Sequence, residues 1–359
     1  MKITIVGGGN IGTQFAVHCA EKKHEVTIYT STPELFDKHI SIVDNTGKII
    51  HEGTILIATN DPEEAFSHAD LIIVTFPATM MDTVAEQIYE YGNKKTVIGV
   101  VPGNGGSECA FRKCIERGNS FFGIERVPAI ARLVKKGKTV RSTGYRNELH
   151  VASIPYYDVD KCCKLIHNIF DIPCKPILNY LNLTLTPSNP ILHTTRLFTL
   201  FKDYHEGIIY TSIPLFYEEW DNDSSQLLMA CDDEVQNICR ALPEFHLEYV
   251  KSLREHYESP TVEAMTEKIS GIIAFKGIKT PAVKVKGGFI PDLHSRYFTA
   301  DFSYGLAIIK QIAIFAGVST PHIDLVNEWY KSIAIEKDEF NFMDYSITSL
   351  NDLKRFYSK

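Results

Sequence analysis

A glycine cluster close to the N-terminus constrains the fold of this chain more than any other feature. Residues 7–12 read Gly-Gly-Gly-Asn-Ile-Gly and fit the pattern G-x-G-x-x-G. The cluster follows a short apolar run of β type, Ile3–Val6, and precedes Ile11–Ala20, whose apolar residues lie roughly on one helical face. A strand, a glycine loop and a helix in this order predict a dinucleotide-binding turn. The alternative is a tight strand–helix turn that binds no ligand.

Each residue of the loop has a physical role in the predicted site. Gly7 allows the tight turn, Gly9 lets the backbone approach a pyrophosphate, and Gly12 lets the helix pack closely on the sheet. Asn10 and Ile11 open the helix, whose free N–H groups and positive dipole end favour phosphate. We therefore predict that these five residues bind the cofactor.

Strand and helix signals continue to alternate after this loop. Leu71–Phe76 is fully apolar, which is typical of a parallel strand covered on both faces. Further strands are predicted at 25–30, 40–43, 48–50, 96–101 and 120–124, and helices at 80–91 and 107–117. This order predicts an α/β fold with a Rossmann-type doubly wound parallel sheet. Pro77 and Asn104 follow two of the strands at their carboxyl ends, where such sheets bind ligands, and are predicted to line the cofactor site.

The pattern changes near residue 181, and helical periods dominate the rest of the chain. Helices are predicted at 190–202, 224–241, 244–257, 262–275, 300–316 and 322–333. We therefore expect two domains, a dinucleotide-binding domain over residues 1–180 and an all-helical domain over residues 181–359. Pro187 and Pro190 lie near the junction and indicate an ordered connection.

Composition excludes several classes of function. The 359 residues carry a formal net charge of −7, which disfavours a general nucleic-acid or anionic-membrane binder, and no apolar stretch is long enough to span a membrane. The eight cysteines form no C-x-x-C pair, so we expect reduced thiols and a cytoplasmic location. Four histidines in the second half (His246, His256, His294 and His322) show no metal-ligand spacing, and no metal site is predicted.

The choice between NAD and NADP depends on the end of the second strand. An Asp or Glu usually binds the ribose 2′-OH there, but residues 28–33 read Ile-Tyr-Thr-Ser-Thr-Pro. Without a carboxylate, nothing repels a 2′-phosphate, and Thr30 and Ser31 can donate hydrogen bonds to it. We therefore expect NADP or NAD, with a preference for NADP. The alternative is that these residues merely begin the next loop.

Two segments of the second half contain candidate catalytic residues. In Asn189-Pro190-Ile191-Leu192-His193, Asn189 can cap a helix and Pro190 suits its first position, which places His193 in the first turn. In the segment 296–306, Thr299 is a possible cap and Asp301 would follow it. From spacing alone, His193 could be a satisfied helical histidine, Asp301 could complement a helix dipole, and Arg296 could be a surface charge.

At these residues the chain resembles the opine dehydrogenase family, which includes octopine and nopaline dehydrogenases. The resemblance covers nearly the whole chain and rests on G-x-G-x-x-G, N-P-x-x-H at 189–193 and R-Y-F-T-x-D-x-x-Y-G-L at 296–306. It implies reductive condensation of an amino acid with a 2-oxo acid by NAD(P)H. It also implies that His193 is the catalytic acid/base, that Asp301 is its partner, and that Arg296 holds a substrate carboxylate. Asn189 is predicted to bind substrate too. The missing acid after the second strand departs from many members.

Two other functions remain open at this stage. A ketopantoate reductase-like or other 2-hydroxyacid dehydrogenase would reduce C=O without an amine, but such relatives commonly use a lysine, and the nearest to His193 is Lys202. A non-catalytic nicotinamide sensor would keep the glycine loop and lose the proton-transfer residues.

The segment 216–221 combines aromatic and acidic side chains. It either lines a pocket or interface or forms a solvated helix end around a buried Trp220. The partners expected are small molecules, with a homodimer possible.

Overall fold

The computed structural model describes residues 1–335 and 339–358. The described chain divides into two compact units, residues 1–183 and residues 184–354, and the residues from Arg355 onward group with the first unit. The main division lies three residues after the boundary expected from the sequence. The return of the C-terminal residues to the first unit has no counterpart in the sequence pattern.

The first unit alternates strands and helices. Its elements are β1 (Lys2–Val6), α1 (Asn10–Glu21), β2 (Glu25–Tyr29), β3 (His39–Val43), β4 (Ile49–Thr54), β5 (Ile57–Thr59), α2 (Pro62–Phe66), β6 (Leu71–Val74), α3 (Met81–Tyr91), β7 (Val97–Val100), α4 (Ser107–Ala110), α5 (Arg112–Arg117), β8 (Phe121–Ile124), β9 (Ile130–Lys135), β10 (Thr139–Thr143), β11 (Leu149–Ile154), α6 (Val159–Phe170), β12 (Cys174–Pro176) and α7 (Leu181–Thr184).

Eight of these strands form the main sheet, in the order β12-β11-β8-β7-β6-β1-β2-β5. Neighbouring strands are parallel except for the antiparallel pair β11–β8. All four residues of β6 are buried, as expected of a strand covered on both faces. Phe15 of α1 and Phe170 of α6 pack edge to face, 4.7 Å apart, within the apolar core of this unit. The predicted Rossmann-type parallel sheet is confirmed.

A second sheet, in the order β4-β3-β10-β9, covers part of α1. The hairpin β3–β4 was expected, and Asp44 holds its turn by accepting hydrogen bonds from the backbone N–H groups of Thr46 and Lys48. The strands β9 and β10 were not predicted. Gly53 of β4 lies so close to α1 that an added Cβ would be 2.5 Å from the Cβ of Ala20. This sheet is therefore in tight contact with the helix that follows the glycine loop.

The second unit is mainly helical. Its elements are α8 (Ser188–Phe201), α9 (Asn222–Ala241), α10 (Leu253–His256), α11 (Val262–Gly271), β13 (Ala282–Val285), β14 (Gly288–Pro291), α12 (Arg296–Thr299), a π-helical turn (Phe302–Leu306), α13 (Ala307–Ala316), α14 (Pro321–Ile333) and α15 (Leu350–Tyr357), which runs past Lys354. The helical character is confirmed, and the hairpin β13–β14 is an addition to it.

The helix predicted over 244–257 is wrong. Only the short α10 forms there, after a single 3₁₀ turn at Pro243–Phe245. His246 adopts a φ of +52°, a left-handed conformation that stops the helix, and Ser252 starts α10 through a capping box with Glu255. Among the described helices, none is both long and apolar enough to cross a membrane.

Candidate active site

The glycine loop between β1 and α1 has the geometry that a pyrophosphate requires. Gly7 adopts a φ of +111°, and a Cβ there would lie 2.6 Å from Thr75 Oγ1. A Cβ on Gly12 would lie 1.7 Å from the carbonyl oxygen of Gly7, so only glycine permits this contact between helix and loop. A Cβ built on Gly9, in contrast, would meet no described heavy atom within 4 Å beyond its chain neighbours and its own helix, which leaves open space where a phosphate would approach the backbone. The residues present therefore fit a dinucleotide.

Asn10 has a role in the loop that the sequence did not indicate. Its Oδ1 accepts a hydrogen bond of 2.7 Å from the backbone N–H of Leu133 in β9. The side chain thus ties the loop to the second sheet, while no side chain caps this end of α1 among the described residues. Ile11 is half-buried against the core. The N–H groups of the first helical turn remain suited to an anion.

The other predicted cofactor residues lie at one edge of the main sheet. Thr30 and Ser31 follow β2, Pro77 follows β6, and Asn104 follows β7. Because β7, β6, β1 and β2 are consecutive parallel neighbours, their carboxyl ends share the edge that carries the glycine loop. Thr30 is buried, Asn104 is half-buried, and Ser31 and Pro77 are exposed.

The second unit places His193 between two oxygen atoms. Nδ1 of His193 lies 2.7 Å from Asp301 Oδ2, and Nε2 lies 2.7 Å from the hydroxyl of Tyr217. The histidine is only 4% exposed. An acceptor-only carboxylate on Nδ1 requires that Nδ1 carry a proton, so Nε2 is the nitrogen that can gain or lose one.

The helix that carries His193 begins earlier than predicted. The carbonyl of Pro187 accepts the first helical hydrogen bond, 3.0 Å from the N–H of Ile191, so α8 starts at Ser188. The predicted cap at Asn189 is therefore wrong, and His193 lies in the second turn. Pro190 fits the third helical position because the N–H it lacks would have no partner in the first turn.

Asp301 also lies in a different local setting from the one predicted. Thr299 ends α12 instead of capping the next helix, and Asp301 immediately precedes the π-helical turn. The carbonyl of Asp301 accepts a hydrogen bond of 2.8 Å from the N–H of Leu306. Gly305, in the same turn, packs against Pro190, where an added Cβ would lie 2.9 Å from the proline ring. This close approach of α8 brings His193 within reach of Asp301.

Tyr217 is a site residue that sequence analysis did not identify. Its ring stacks on Phe275 with 4.2 Å between centroids, and burial raises the pKa of its hydroxyl well above the usual range. The hydroxyl therefore stays protonated, and it donates to Nε2 when His193 is neutral. The mixed segment 216–221 was the available signal. The structure agrees with the second alternative, a helix end around a buried Trp220, because Trp220 is buried and Asp221 caps α9. Tyr217, in the same segment, reaches the histidine.

Arg196 holds this segment in place. It is fully buried, three residues after His193 on α8. Its Nε donates to the carbonyl of Phe216 at 3.0 Å, and Nη2 donates to the carbonyl of Glu219 at 2.6 Å. Nη1 contacts Asp221 Oδ2 at 2.7 Å. Because these bonds fix the backbone on both sides of Tyr217, Arg196 determines where the tyrosine hydroxyl lies.

The predicted substrate-binding residues are both exposed. The Arg296 guanidinium lies 5.8 Å from the ring of Tyr297, whose own ring lies 4.6 Å from that of His193. Among the described residues, Arg296 has no carboxylate partner within salt-bridge distance. Asn189 lies one helical turn before His193, on the same side of α8.

Two family models cover most of the chain. The model for the α-helical domain of NAD/NADP octopine/nopaline dehydrogenase matches residues 176–334. The model for the N-terminus of NAD-dependent glycerol-3-phosphate dehydrogenase matches residues 2–107. The first match contains His193, Tyr217 and Asp301, and the second contains the glycine loop.

Relatives and solved structures agree with the family models. Octopine dehydrogenase of Pecten maximus is 25% identical, with 92% of this chain and 89% of that protein covered. Opine dehydrogenase of Haliotis discus hannai is 28% identical over 76% of this chain and 71% of that protein. Residues 176–334 are thus a helical domain of the octopine/nopaline dehydrogenase type, and the relatives support an opine dehydrogenase family for the chain. Together they indicate an NAD(P)-dependent oxidoreductase that acts on CH–NH bonds.

Opine dehydrogenase structures also show the fold. A structure of octopine dehydrogenase described with NADH and pyruvate superposes with a TM-score of 0.84 at 23% identity, and the match covers 98% of this chain and 97% of that one. The fold expected from the sequence, a dinucleotide-binding domain with a parallel sheet and a helical domain, thus matches that of the octopine dehydrogenase structure.

Proposed function

We propose that this opine dehydrogenase condenses the amino group of an amino acid with a 2-oxo acid and reduces the resulting imine. His193 acts as the general acid/base, with Asp301 orienting it. The observation that carries the proposal is the arrangement of His193 between a carboxylate and a buried tyrosine hydroxyl, each 2.7 Å away. Neither contact is needed to fold a helix, and together they form a proton-transfer group.

The reaction requires one proton and one hydride at the imine. The amine nitrogen attacks the carbonyl carbon, water leaves, and a C=N bond forms. Bound NAD(P)H supplies a hydride to the imine carbon. The imine nitrogen takes up the proton and becomes a secondary amine. The product therefore contains both substrates joined through nitrogen, without the one oxygen that left as water.

His193 supplies and accepts protons in this scheme. Asp301 keeps a proton on Nδ1 and stabilises the imidazolium when Nε2 is also protonated, as the aspartate does in a Ser-His-Asp triad. Nε2 faces the hydroxyl of Tyr217, so a proton passes between His193 and substrate through this hydroxyl. A histidine suits this exchange because its unperturbed titration lies close to neutral pH.

Arg296 binds a substrate carboxylate in the proposal. Both substrates carry a carboxylate, and a guanidinium can grip one through two parallel hydrogen bonds. Support comes from the exposure of Arg296 and from its position beside Tyr297, which itself contacts the ring of His193. Asn189 adds a polar group one turn before the histidine.

For the cofactor we propose a preference for NADP over NAD. The position directly after β2 holds Thr30 and Ser31 in place of a carboxylate, so a 2′-phosphate meets hydroxyl donors and no negative charge there. Dissociation constants of NADPH and NADH measured by fluorescence test this preference. A smaller value for NADPH supports it, and a smaller value for NADH overturns it.

We also propose a cytoplasmic location and a homodimer formed through the second unit. The location is supported by the cysteines, all eight of which are free thiols. Size-exclusion chromatography with light scattering tests the dimer, and a monomer mass overturns it.

Oxidation of NADPH and NADH with a matrix of amino acids and 2-oxo acids tests the function. Each substrate is also supplied alone. Turnover that requires both supports reductive condensation and identifies the pair. Turnover with the oxo acid alone would make the protein a hydroxyacid dehydrogenase, and tight cofactor binding without any turnover would support a sensor.

A further inference from the structure

A cluster of metal-ligating side chains lies in the first unit, away from the cofactor loop. His18 and Glu21 are three residues apart on α1 and share one face of the helix. His51 of β4 faces them from the second sheet. One ligating atom from each of the three side chains lies within 4.8 Å of the other two. The rings of His18 and His51 are 4.5 Å apart, and His51 Nδ1 lies 2.9 Å from Glu21 Oε2.

We propose that His18, Glu21 and His51 form a binding site for a divalent transition metal of the Zn²⁺ type. Two imidazoles and one carboxylate, with water in a fourth position, are a recognised zinc ligand set. Ligands bind zinc at about 2.0–2.2 Å, so the three atoms need only small side-chain rotations to converge on one ion. The ion takes the place of the hydrogen bond that now joins His51 to Glu21.

The surroundings hold the ligands in place and leave a path to solvent. The hydroxyl of Tyr145 lies 3.0 Å from Nε2 of His18 and restricts the ring, as outer partners of metal-bound histidines do. The side chains of His51 and Glu21 are 31% and 37% exposed, so an ion and its water can enter from that side. Lys22, the neighbouring cation, is paired with Asp171 at 2.5 Å, which reduces its repulsion of a metal ion.

The site would join α1 to the second sheet. Gly53 already brings β4 against Ala20 of α1, so the backbone spacing between the two ligand-bearing elements is set by close packing. A bound ion would therefore add a cross-link within the first unit without rearranging it. Sequence spacing missed this site because His51 is 30 residues from Glu21 and becomes its neighbour only when the sheet folds onto the helix.

Isothermal titration of metal-free protein with ZnCl₂ tests the proposal, with visible absorption of Co²⁺ as a probe of coordination. We expect one saturable Zn²⁺ per chain and the d–d bands of a four-coordinate Co²⁺ site. His51→Ala and Glu21→Gln should each weaken binding by more than the ~10–100-fold that loss of an outer partner costs. Glu21→Gln keeps the side-chain shape and a hydrogen bond to His51, so its fold is expected to remain intact.

His39→Ala is the matched control. His39 is an exposed histidine of the same sheet that pairs with Glu52 at 3.0 Å, and the part of the chain that the structure describes places no third ligand beside this pair. The His39→Ala variant should bind Zn²⁺ with the same affinity as the unaltered protein. Thermal unfolding should show stabilisation by Zn²⁺ in the unaltered protein and in His39→Ala, and not in the other two variants. The proposal is overturned if the unaltered protein shows no saturable binding, or if His51→Ala and Glu21→Gln bind Zn²⁺ as tightly as His39→Ala.

Discussion

Asp301 Oδ2 lies 2.7 Å from Nδ1 of His193, although the two residues are 108 positions apart in the chain. The contact directs Nε2, the other ring nitrogen, toward the hydroxyl of Tyr217. Because the carboxylate accepts only, it selects one tautomer of the histidine and stabilises the positive charge that develops on it. In the proposed reaction, this arrangement lets the buried histidine of the helical unit exchange protons with the substrate imine.

Replacement of the histidine tests its role in proton transfer. His193→Ala should lower kcat by roughly 10²–10⁴-fold, the usual contribution of a general acid/base, and leave the Kd of NAD(P)H nearly unchanged. Steady-state kinetics and fluorescence titration measure the two quantities. His205→Ala, which alters an exposed histidine of the same unit, serves as the control. An active His193→Ala variant would show that the acid/base lies elsewhere.

Loss of the tyrosine hydroxyl tests the proposed path from Nε2. Tyr217→Phe keeps the stacked ring on Phe275 and removes the oxygen beside His193, so we expect kcat to fall by about 10²-fold. The free energy of unfolding should fall by about 1–3 kcal/mol, because Nε2 of the buried His193 is left without its partner. Unchanged kcat in Tyr217→Phe, with Tyr204→Phe as the comparison, would exclude the hydroxyl from the path.

Arg196 should matter for stability as well as for turnover. Arg196→Met keeps much of the side-chain volume but leaves the carbonyls of Phe216 and Glu219 without their donor, and each buried acceptor left unsatisfied costs ~1–3 kcal/mol. We expect urea unfolding to show a loss of about 3 kcal/mol. Asp221→Asn, at the half-exposed end of the same network, should cost less. Equal losses in the two variants would contradict the assigned role of the arginine.

The stability of the second unit should depend on Asp232. Burial, the largest cause, raises the pKa of this carboxyl to about 6, with Asp233 adding to the rise. The folded state then holds a proton that the unfolded state releases, so stability falls as pH rises from about 4 to 6 and stays low above that. Asp232→Asn should therefore be more stable than the unaltered protein at pH 8, by about 2–3 kcal/mol, and about equal to it near pH 4.

Denaturant unfolding of both proteins at the two pH values measures the difference. The backbone N–H of Leu253, which donates to Asp232 at 2.8 Å, can still find an amide oxygen in the variant. If Asp232→Asn is less stable than the unaltered protein at pH 8, the ionised carboxylate of Asp232 stabilises the folded state, which contradicts the prediction.

The elements that follow from local pattern were predicted well. The strand at Leu71–Val74 and the glycine loop depend on residues close together in sequence, and both are present. The helix expected over 244–257 failed because apolar spacing alone did not reveal the left-handed residue at His246. The hairpin β13–β14 was overlooked because helical periods surround it.

The candidate site depended more on resemblance than on pattern. Spacing alone was consistent with His193 and Asp301 as ordinary helical residues. The family resemblance predicted that they are partners, and in the structure they are in contact. Tyr217 and Arg196 could not be found this way. Their roles depend on how residues 216–221 fold back onto α8, and a linear pattern does not contain that packing.

The most direct test of reductive condensation is the mass spectrum of the product formed with NAD(P)H deuterated at the transferred position. The account predicts a secondary amine that contains both substrates, with one oxygen lost as water and one deuterium on the carbon that was the carbonyl of the 2-oxo acid. A deuterated 2-hydroxy acid, with the amino acid recovered unchanged, would contradict it.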